Sequence, residues 1–525
     1  MKVRKMNVKS HFILLVYPFR HAISGKGRID RLRKLNGRWL HWWRRLDGDE
    51  RKRFLDDTYF FLPYIRELLF PETAHLPVGD IEQQAKEAER IAMMTLEHLA
   101  KISHPDGVLR LTFNSENLEA LHPLQVEFEL RNAGGKVVEQ FFAPFRICWA
   151  DVVLFPQNVG FLVLKVKLSE DKLTVRRLCD FLYHIRLVHP PIIGWQLANL
   201  RRVKREAPIT FKSQDLVDFL LQGLTDVATD LDPTIDAFLN RLHKSGSVLR
   251  YSETKMGQVY GQVFRLYTYA CLDDTEPSSN PEAVGFHLHR LFASPEQQAL
   301  YELATCTDTT DPNYVPHEEG LRQIMDKGHI AFWENWEGMA LHDNVVFLGK
   351  RPTKFTLNTL SQNVESDYFH LYLLALYQKI RLSLLSGELL RHAKDLHRNL
   401  KEARSLWDAF IMFHNHYWFV EATFRPQGNE LYRRFQMGLG VEALFESIGN
   451  EVRELQEYYE RKSERRISAL LNFLTFVGLP ASLLVELFSN ALIKGASWLQ
   501  FGLTAAILYA VIGIGWLLWS HLVRE

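Results

Sequence analysis

The order of apolar and polar positions divides this chain into a strand-rich first part and a helical remainder. The apolar run from residue 11 to Pro18 reads as a buried β-strand, and residues 107 to 131 and 136 to 168 read as further strands. In the later stretch, Val152 to Phe155, a turn at Pro156 to Gly160 and Phe161 to Leu168 predict a hairpin whose second strand ends in period-two alternation. Helical spacing follows at Thr174 to Val188 and Ser213 to Leu224. Residues 1 to about 350 are therefore expected to form an α+β domain, or two.

From Ser366 the pattern is helix alone. A long helix is followed by a stretch through Trp418 to Phe424, a break at Arg425-Pro426-Gln427-Gly428, and a last helix from Asn429. In it Val441, Leu444, Ile448, Val452, Leu455 and Tyr459 take heptad spacing. No proline follows before Pro480, so one helix from 429 to 488, about 90 Å long at 1.5 Å per residue, is expected; Gly438, Gly440 and Gly449 weaken its continuity, and two helices that abut near Arg465 are the alternative. It leads into two apolar stretches, 467–488 and 498–522, each matching the roughly 20 residues of a bilayer crossing. Arg461, Lys462, Arg465 and Arg466 precede the first and Arg524 follows the second, whereas the link Ser489 to Ser497 holds Lys494 alone. The positive-inside bias then predicts cytoplasmic ends and a multi-pass protein of the inner membrane. The expected organisation is a cytosolic α+β domain (1–350), a helical stalk (351–466) and a transmembrane hairpin (467–525).

The first apolar stretch carries a file of residues on one helical face: Asn472, Thr475, Leu479, Ser482, Glu486 and Ser489 or Asn490. A carboxylate at membrane depth normally faces water or a polar partner, so this file is expected to line a pore. One hairpin cannot enclose a pore, hence several copies about a cyclic axis are required. The alternative is that the file packs on the second span, with Thr475 and Ser482 bonded back to their own helix. Leu479 is the expected hydrophobic gate.

Composition narrows the functional classes. The chain has 525 residues, is 47% hydrophobic and 24% charged, and has a net charge of +1, which argues against general nucleic-acid binding. Its four cysteines lack CxxC spacing, which disfavours zinc and suits free thiols in a reducing cytosol. The N-terminal apolar run is too short for a signal peptide, so no cleavage is expected. His414 and His416 lie two apart on a helix and face different directions, so they do not form a metal pair. Asp273 and Asp274 sit in a polar loop, and no catalytic constellation emerges; the chain is not expected to be an enzyme.

The layout of cytosolic domain, stalk, span, short loop and span resembles the CorA-like divalent-cation transporter superfamily. The local match is Asn472 to Phe488, NFLTFVGLPASLLVELF, with Pro480 at the place of that family's mid-membrane proline. The resemblance implies a homopentamer in the lipid bilayer and Mg2+ or another divalent cation as the transported ion. Where the family carries Gly-Met-Asn, this chain has Ser489-Asn490-Ala491. The N-terminal segments HFILLVYPFRH, DVVLFPQNVGFLVLKVKL and FWENWEGMALHDNVVFLG resemble the larger domain of CorA-like membrane effectors of type III CRISPR systems. This implies an antiviral cation channel opened by a nucleotide second messenger such as SAM-AMP. A housekeeping magnesium transporter and a non-conducting membrane-anchored scaffold are the alternatives.

An adenylate-type ligand needs cations for phosphate and aromatic faces for the base. The Arg/Trp segment with Arg28, Arg31 and Trp39, the group Arg176, Arg177, His184 and Arg186, and Trp336 with Trp333, His342 and Asp343 are the candidates. Each has a structural reading as well: a solvated basic face over a buried aromatic edge. Gly25 and Gly27 are too incomplete for a phosphate loop.

Overall fold

A computed structural model describes residues 6–23, 28–77, 81–102, 107–131, 136–188, 198–203, 209–225, 238, 263–273, 291–396 and 400–473, with isolated positions to 514. Its centre is a twelve-stranded sheet. The strands are β1 (Val8–Arg20), β2 (Trp39–His41), β3 (Leu109–Phe113), β4 (Leu124–Arg131), β5 (Val137–Leu154) and β6 (Val159–Leu168), then β7 (Asn199–Arg202), β8 (Ile209–Lys212), β9 (Arg265–Leu272), β10 (His329–Trp333), β11 (Trp336–Ala340) and β12 (Asn344–Gly349). The order is β10-β11-β12-β9-β1-β6-β5-β4-β7-β8, with β3 joining β2 to β5. The β12–β9 pair is parallel. β1 lies between β6 and β9, pairing Ile13 with Val166 and with Thr268. Both its faces are covered, which explains why every residue from Phe12 to Phe19 is buried and why its sequence reads as an unbroken apolar run.

The helix Asp367–Leu396 packs on this sheet. Tyr267 of β9 meets Phe369 and Tyr372 at ring distances of 5.2 Å, and Phe155 stacks on Tyr377 at 4.6 Å. Residues Leu371 to Tyr377 are all buried, as expected of a helix apolar on every side. The predicted hairpin is present, with Leu154 opposite Gly160. The two early helices occupy Val175–Ile185, N-capped by Thr174, and Ser213–Leu221.

Contacts divide the chain into two units. One comprises Met1–Leu384 with Tyr417–Leu444; the other comprises Leu385–His416 with Phe445–Glu525. In the second, Phe410 and His414 of the helix Leu400–Tyr417 stack on Phe445 at 5.4 and 5.6 Å.

Several expectations need correction. The stretch from Trp418 to Phe424 is irregular, not helical: Thr423 pairs with Phe61, and Asn429 Oδ1 accepts from the backbone of Ala422 and Thr423. The single helix from 429 to 488 is broken at Gly440, whose φ of 68° lies in the left-handed region, giving helices Pro426–Leu439 and Val441–Phe473. Among the described residues no helix is long and apolar enough to cross a membrane. The helix that enters the first apolar stretch is described over Val441–Phe473, and most of 467–488 and 498–522 lies outside the described residues. The expected fold class, an α+β domain with two C-terminal transmembrane helices, is thus corrected to a mixed α/β fold built on one large sheet. The multi-pass inner-membrane placement, which rested on those spans, falls with it.

Candidate functional site

The sequence-predicted ligand residues do not converge. Arg28 and Arg31 lie on the helix Arg28–Leu35, where Arg31 Nη1 donates to the carbonyl of Ala22 at 2.7 Å. Trp39 is fully buried against Phe113, ring to ring at 5.2 Å. Arg176 and Arg177 lie on the helix Val175–Ile185, where Arg176 pairs with Asp180 and Asp308 and Arg177 with Glu170. His184 is sandwiched at 4.5 and 4.7 Å from the rings of Phe128 and Phe141, and burial lowers its pKa to about 4. Arg186 lies over Tyr183 at 5.1 Å. Trp336 is a core residue near Phe347 and Tyr368, at the far end of the sheet. These positions serve packing and ion pairing in separate places.

Of the expected pore-lining file, Asn472, Thr475, Ser482 and Glu486 are exposed in this chain, while Leu479 and Asn490 lie outside the described residues. Thr475 Oγ1 donates to its own helix at Leu471, 2.8 Å, and Ser489 Oγ donates to the carbonyl of Glu486 at 3.0 Å.

A different cluster concentrates charge inside the sheet unit. Asp151 of β5 is paired with Thr112 of β3, and Arg110 lies two residues before Thr112, so Arg110 and Asp151 share one face of the sheet. Arg110 Nη2 and Nε donate to Asp151 Oδ2 at 2.7 and 3.0 Å. The short turn Trp42–Arg45, which follows β2, adds Arg45, whose Nη2 donates to the same oxygen at 3.3 Å. Each guanidinium covers an indole at 4.2 Å, Arg110 over Trp42 and Arg45 over Trp149. Trp42 Nε1 in turn donates to buried Glu72 at 3.2 Å.

His370 closes the cluster from the helix Asp367–Leu396. Its Nε2 is 3.1 Å from Arg110 Nη1 and its Nδ1 is 2.7 Å from the carbonyl of Ser366. Arginine can only donate, so Nε2 accepts and Nδ1 carries the proton. Burial first, and then Arg110, lower the pKa of His370 to about 3, which keeps the ring neutral.

Three buried polar atoms here have no hydrogen-bond partner among the described residues: Asp151 Oδ1, Arg45 Nε and Trp149 Nε1. Asp151 is inaccessible, whereas the Arg45 side chain is 22% exposed and forms the edge of the cluster nearest solvent. Two spare donors, one of them the Trp149 indole, and one spare acceptor suit recognition of a small polar ligand.

Sequence reasoning singled out the Arg/Trp segment that holds Trp42 and Arg45 but missed Arg110, Asp151 and His370. The available signal was a lone aspartate inside the apolar run Trp149-Ala150-Asp151-Val152-Val153 of a predicted strand.

No known protein family and no curated protein matches the chain. Among solved structures, that of the full-length CmaX protein shows a weak likeness, at 13% identity and a TM-score of 0.18, covering 53% of this chain and 91% of that one. A TM-score this low carries no argument about function.

Proposed function

We propose that this chain is an effector responsive to an adenine-nucleotide signal, bound at the edge of the sheet unit beside Arg45, Trp149 and Asp151. The observation that supports the reading is the grouping of unpartnered polar atoms, Arg45 Nε, Trp149 Nε1 and Asp151 Oδ1, within one cationic and aromatic cluster. Buried polar atoms are normally paired, and a nucleotide's phosphate oxygens would supply partners for the donors at the edge nearest solvent, where Arg45 stands. Arg45 would meet the phosphate and the Trp149 ring the base.

Titration calorimetry of the full-length protein with a panel of adenine nucleotides, the SAM-AMP conjugate included, tests this. At least one is expected to bind, and Arg45→Ala is expected to weaken it roughly tenfold or more, as for a charge-assisted contact. Absence of binding across the panel, or affinity unchanged in folded Arg45→Ala and Trp149→Phe proteins, would overturn the assignment.

A further inference from the structure

Arg265 is the first residue of β9, and the parallel register that sets Asn344 opposite Leu266 and Val345 opposite Tyr267 brings Asp343 beside it. Tyr267, two residues after Arg265, lies on the same face of the sheet and meets the Tyr372 ring at 5.2 Å. The Arg265 side chain is therefore directed toward the helix Asp367–Leu396, on the helix face that carries Tyr372 and, seven residues later, Lys379.

Three hydrogen-bond donors at this place are idle. Lys379 Nζ is 2.6 Å from His342 Nε2 and 2.5 Å from the carbonyl of Leu439, so its third N–H has no acceptor among the described residues. Arg265 gives a terminal nitrogen to Asp343, and its Nε is buried without a partner. The hydroxyl of Tyr372, a residue wholly inaccessible to solvent, is likewise unpartnered. Buried donors are normally satisfied, and donors alone call for an acceptor-rich ligand.

Charge points the same way. Asp343 is the one carboxylate set against the two cations among the described contacts, and its Oδ1 also faces His342 Nδ1 at 2.9 Å. The imidazole adds no negative charge, and burial, then Lys379 and Arg265, lower its pKa to about 4. Burial, then Arg265, lower Lys379 to about 8, and burial pushes the Tyr372 hydroxyl up, so it stays a neutral donor. A net positive charge is left over. The corner also has a way in, because the side chains of His342 and Asp343 are 67% and 47% exposed, against 14% for Arg265.

We propose that Arg265, Lys379 and Tyr372 form a binding site for a phosphate group, entered past His342 and Asp343. Phosphate oxygens accept from Arg265 Nε, from the third Lys379 N–H and from the Tyr372 hydroxyl, and the anion balances the surplus charge. The site lies apart from the Arg45 cluster and does not rest on the nucleotide reading.

Equilibrium dialysis of the full-length protein at pH 7 with inorganic phosphate, and in parallel with glycerol phosphate, tests this. Saturable binding of at least one is expected, and whichever binds tighter tells whether the site takes free or esterified phosphate. Lys379→Met should weaken it roughly tenfold or more and Tyr372→Phe roughly threefold, whereas Arg45→Ala should leave it unchanged. Sulfate, which keeps its charge over this range, should bind wild-type protein roughly tenfold more weakly at pH 9 than at pH 7, as Lys379 loses its proton. Absence of binding, affinity unchanged in folded Tyr372→Phe and Lys379→Met proteins, or sulfate affinity equal at the two pH values overturns the proposal; the wild-type sulfate comparison decides the matter should the variants fail to fold.

Discussion

Arg110 and Lys379 are both buried cations, one packed against the helix Asp367–Leu396 and one borne by it, and they have different kinds of partner. Arg110 meets a carboxylate with two of its nitrogens and a neutral imidazole with a third, so its charge is locked in place. Lys379 meets only uncharged groups, the imidazole of His342 and the carbonyl of Leu439, and burial, then Arg265, lower its pKa to about 8. The type of partner, not the depth of burial, separates a cation held by a counter-charge from one held by uncharged acceptors alone.

The largest effect that would sharpen this contrast is expected from Asp151→Asn. It leaves Arg110 and Arg45 without their shared carboxylate and should destabilise the protein by about 3 to 5 kcal/mol in denaturant unfolding. A loss below about 1 kcal/mol would place Arg110 in the same category as Lys379.

The next effect is acid sensitivity through His370. Its folded pKa of about 3 lies below the ordinary value of 6.5, so the unfolded chain binds the proton more readily in between. Its contribution is fully present above pH 6.5 and is lost as pH falls toward 3, on the order of 3 kcal/mol. Unfolding curves from pH 7 to pH 4 should therefore flatten in His370→Gln. Equal slopes in both proteins would show that the other depressed histidines, His11, His21, His122, His184 and His342, carry the whole effect.

Asp367 is the mirror case, a carboxylate whose pKa burial, and then Asp57, raise to about 8 against the opposing pull of Arg425. The folded chain holds the proton that the unfolded chain releases, so its contribution is present below the ordinary value of 3.8 and is lost as pH rises through about 8. Asp367→Asn should raise the unfolding free energy more at pH 8 than at pH 5, by about 1 to 2 kcal/mol at the higher pH in denaturant titrations. The opposite order would mean that Arg425 dominates the pair.

Arg176→Ala marks the lower end of the scale. This half-exposed arginine has two carboxylate partners, yet its removal should change stability by less than about 1 kcal/mol, because solvent screens the pairs.

How far these features were legible in the sequence follows from the range of the interactions. β1, the β5–β6 hairpin and the helical C-terminal part are written in local periodicity and were readable from it. The central position of β1 was not, because its partners β6 and β9 are set by long-range packing. The same limit hid the Arg110–Asp151–His370 cluster, whose members come from a strand pair and a distant helix. Tryptophan and arginine in one segment signalled a binding surface, but Trp39 and Trp336 turned out to be core, and Arg176 and Arg177 to be paired. Trp418 to Phe424 looked helical because aromatic residues fit either state, and Asn429 fixed it as irregular backbone by bonding to Ala422 and Thr423.

The placement of β1 bears on how the chain is made. β1, made well before its partners, has Ile13 opposite Val166 on one edge and Thr268 on the other, so neither edge can be sealed until much later synthesis supplies them. In the meantime an apolar segment with open edges is available to chaperones or to neighbouring nascent chains, and slow translation before residue 265 should favour aggregation.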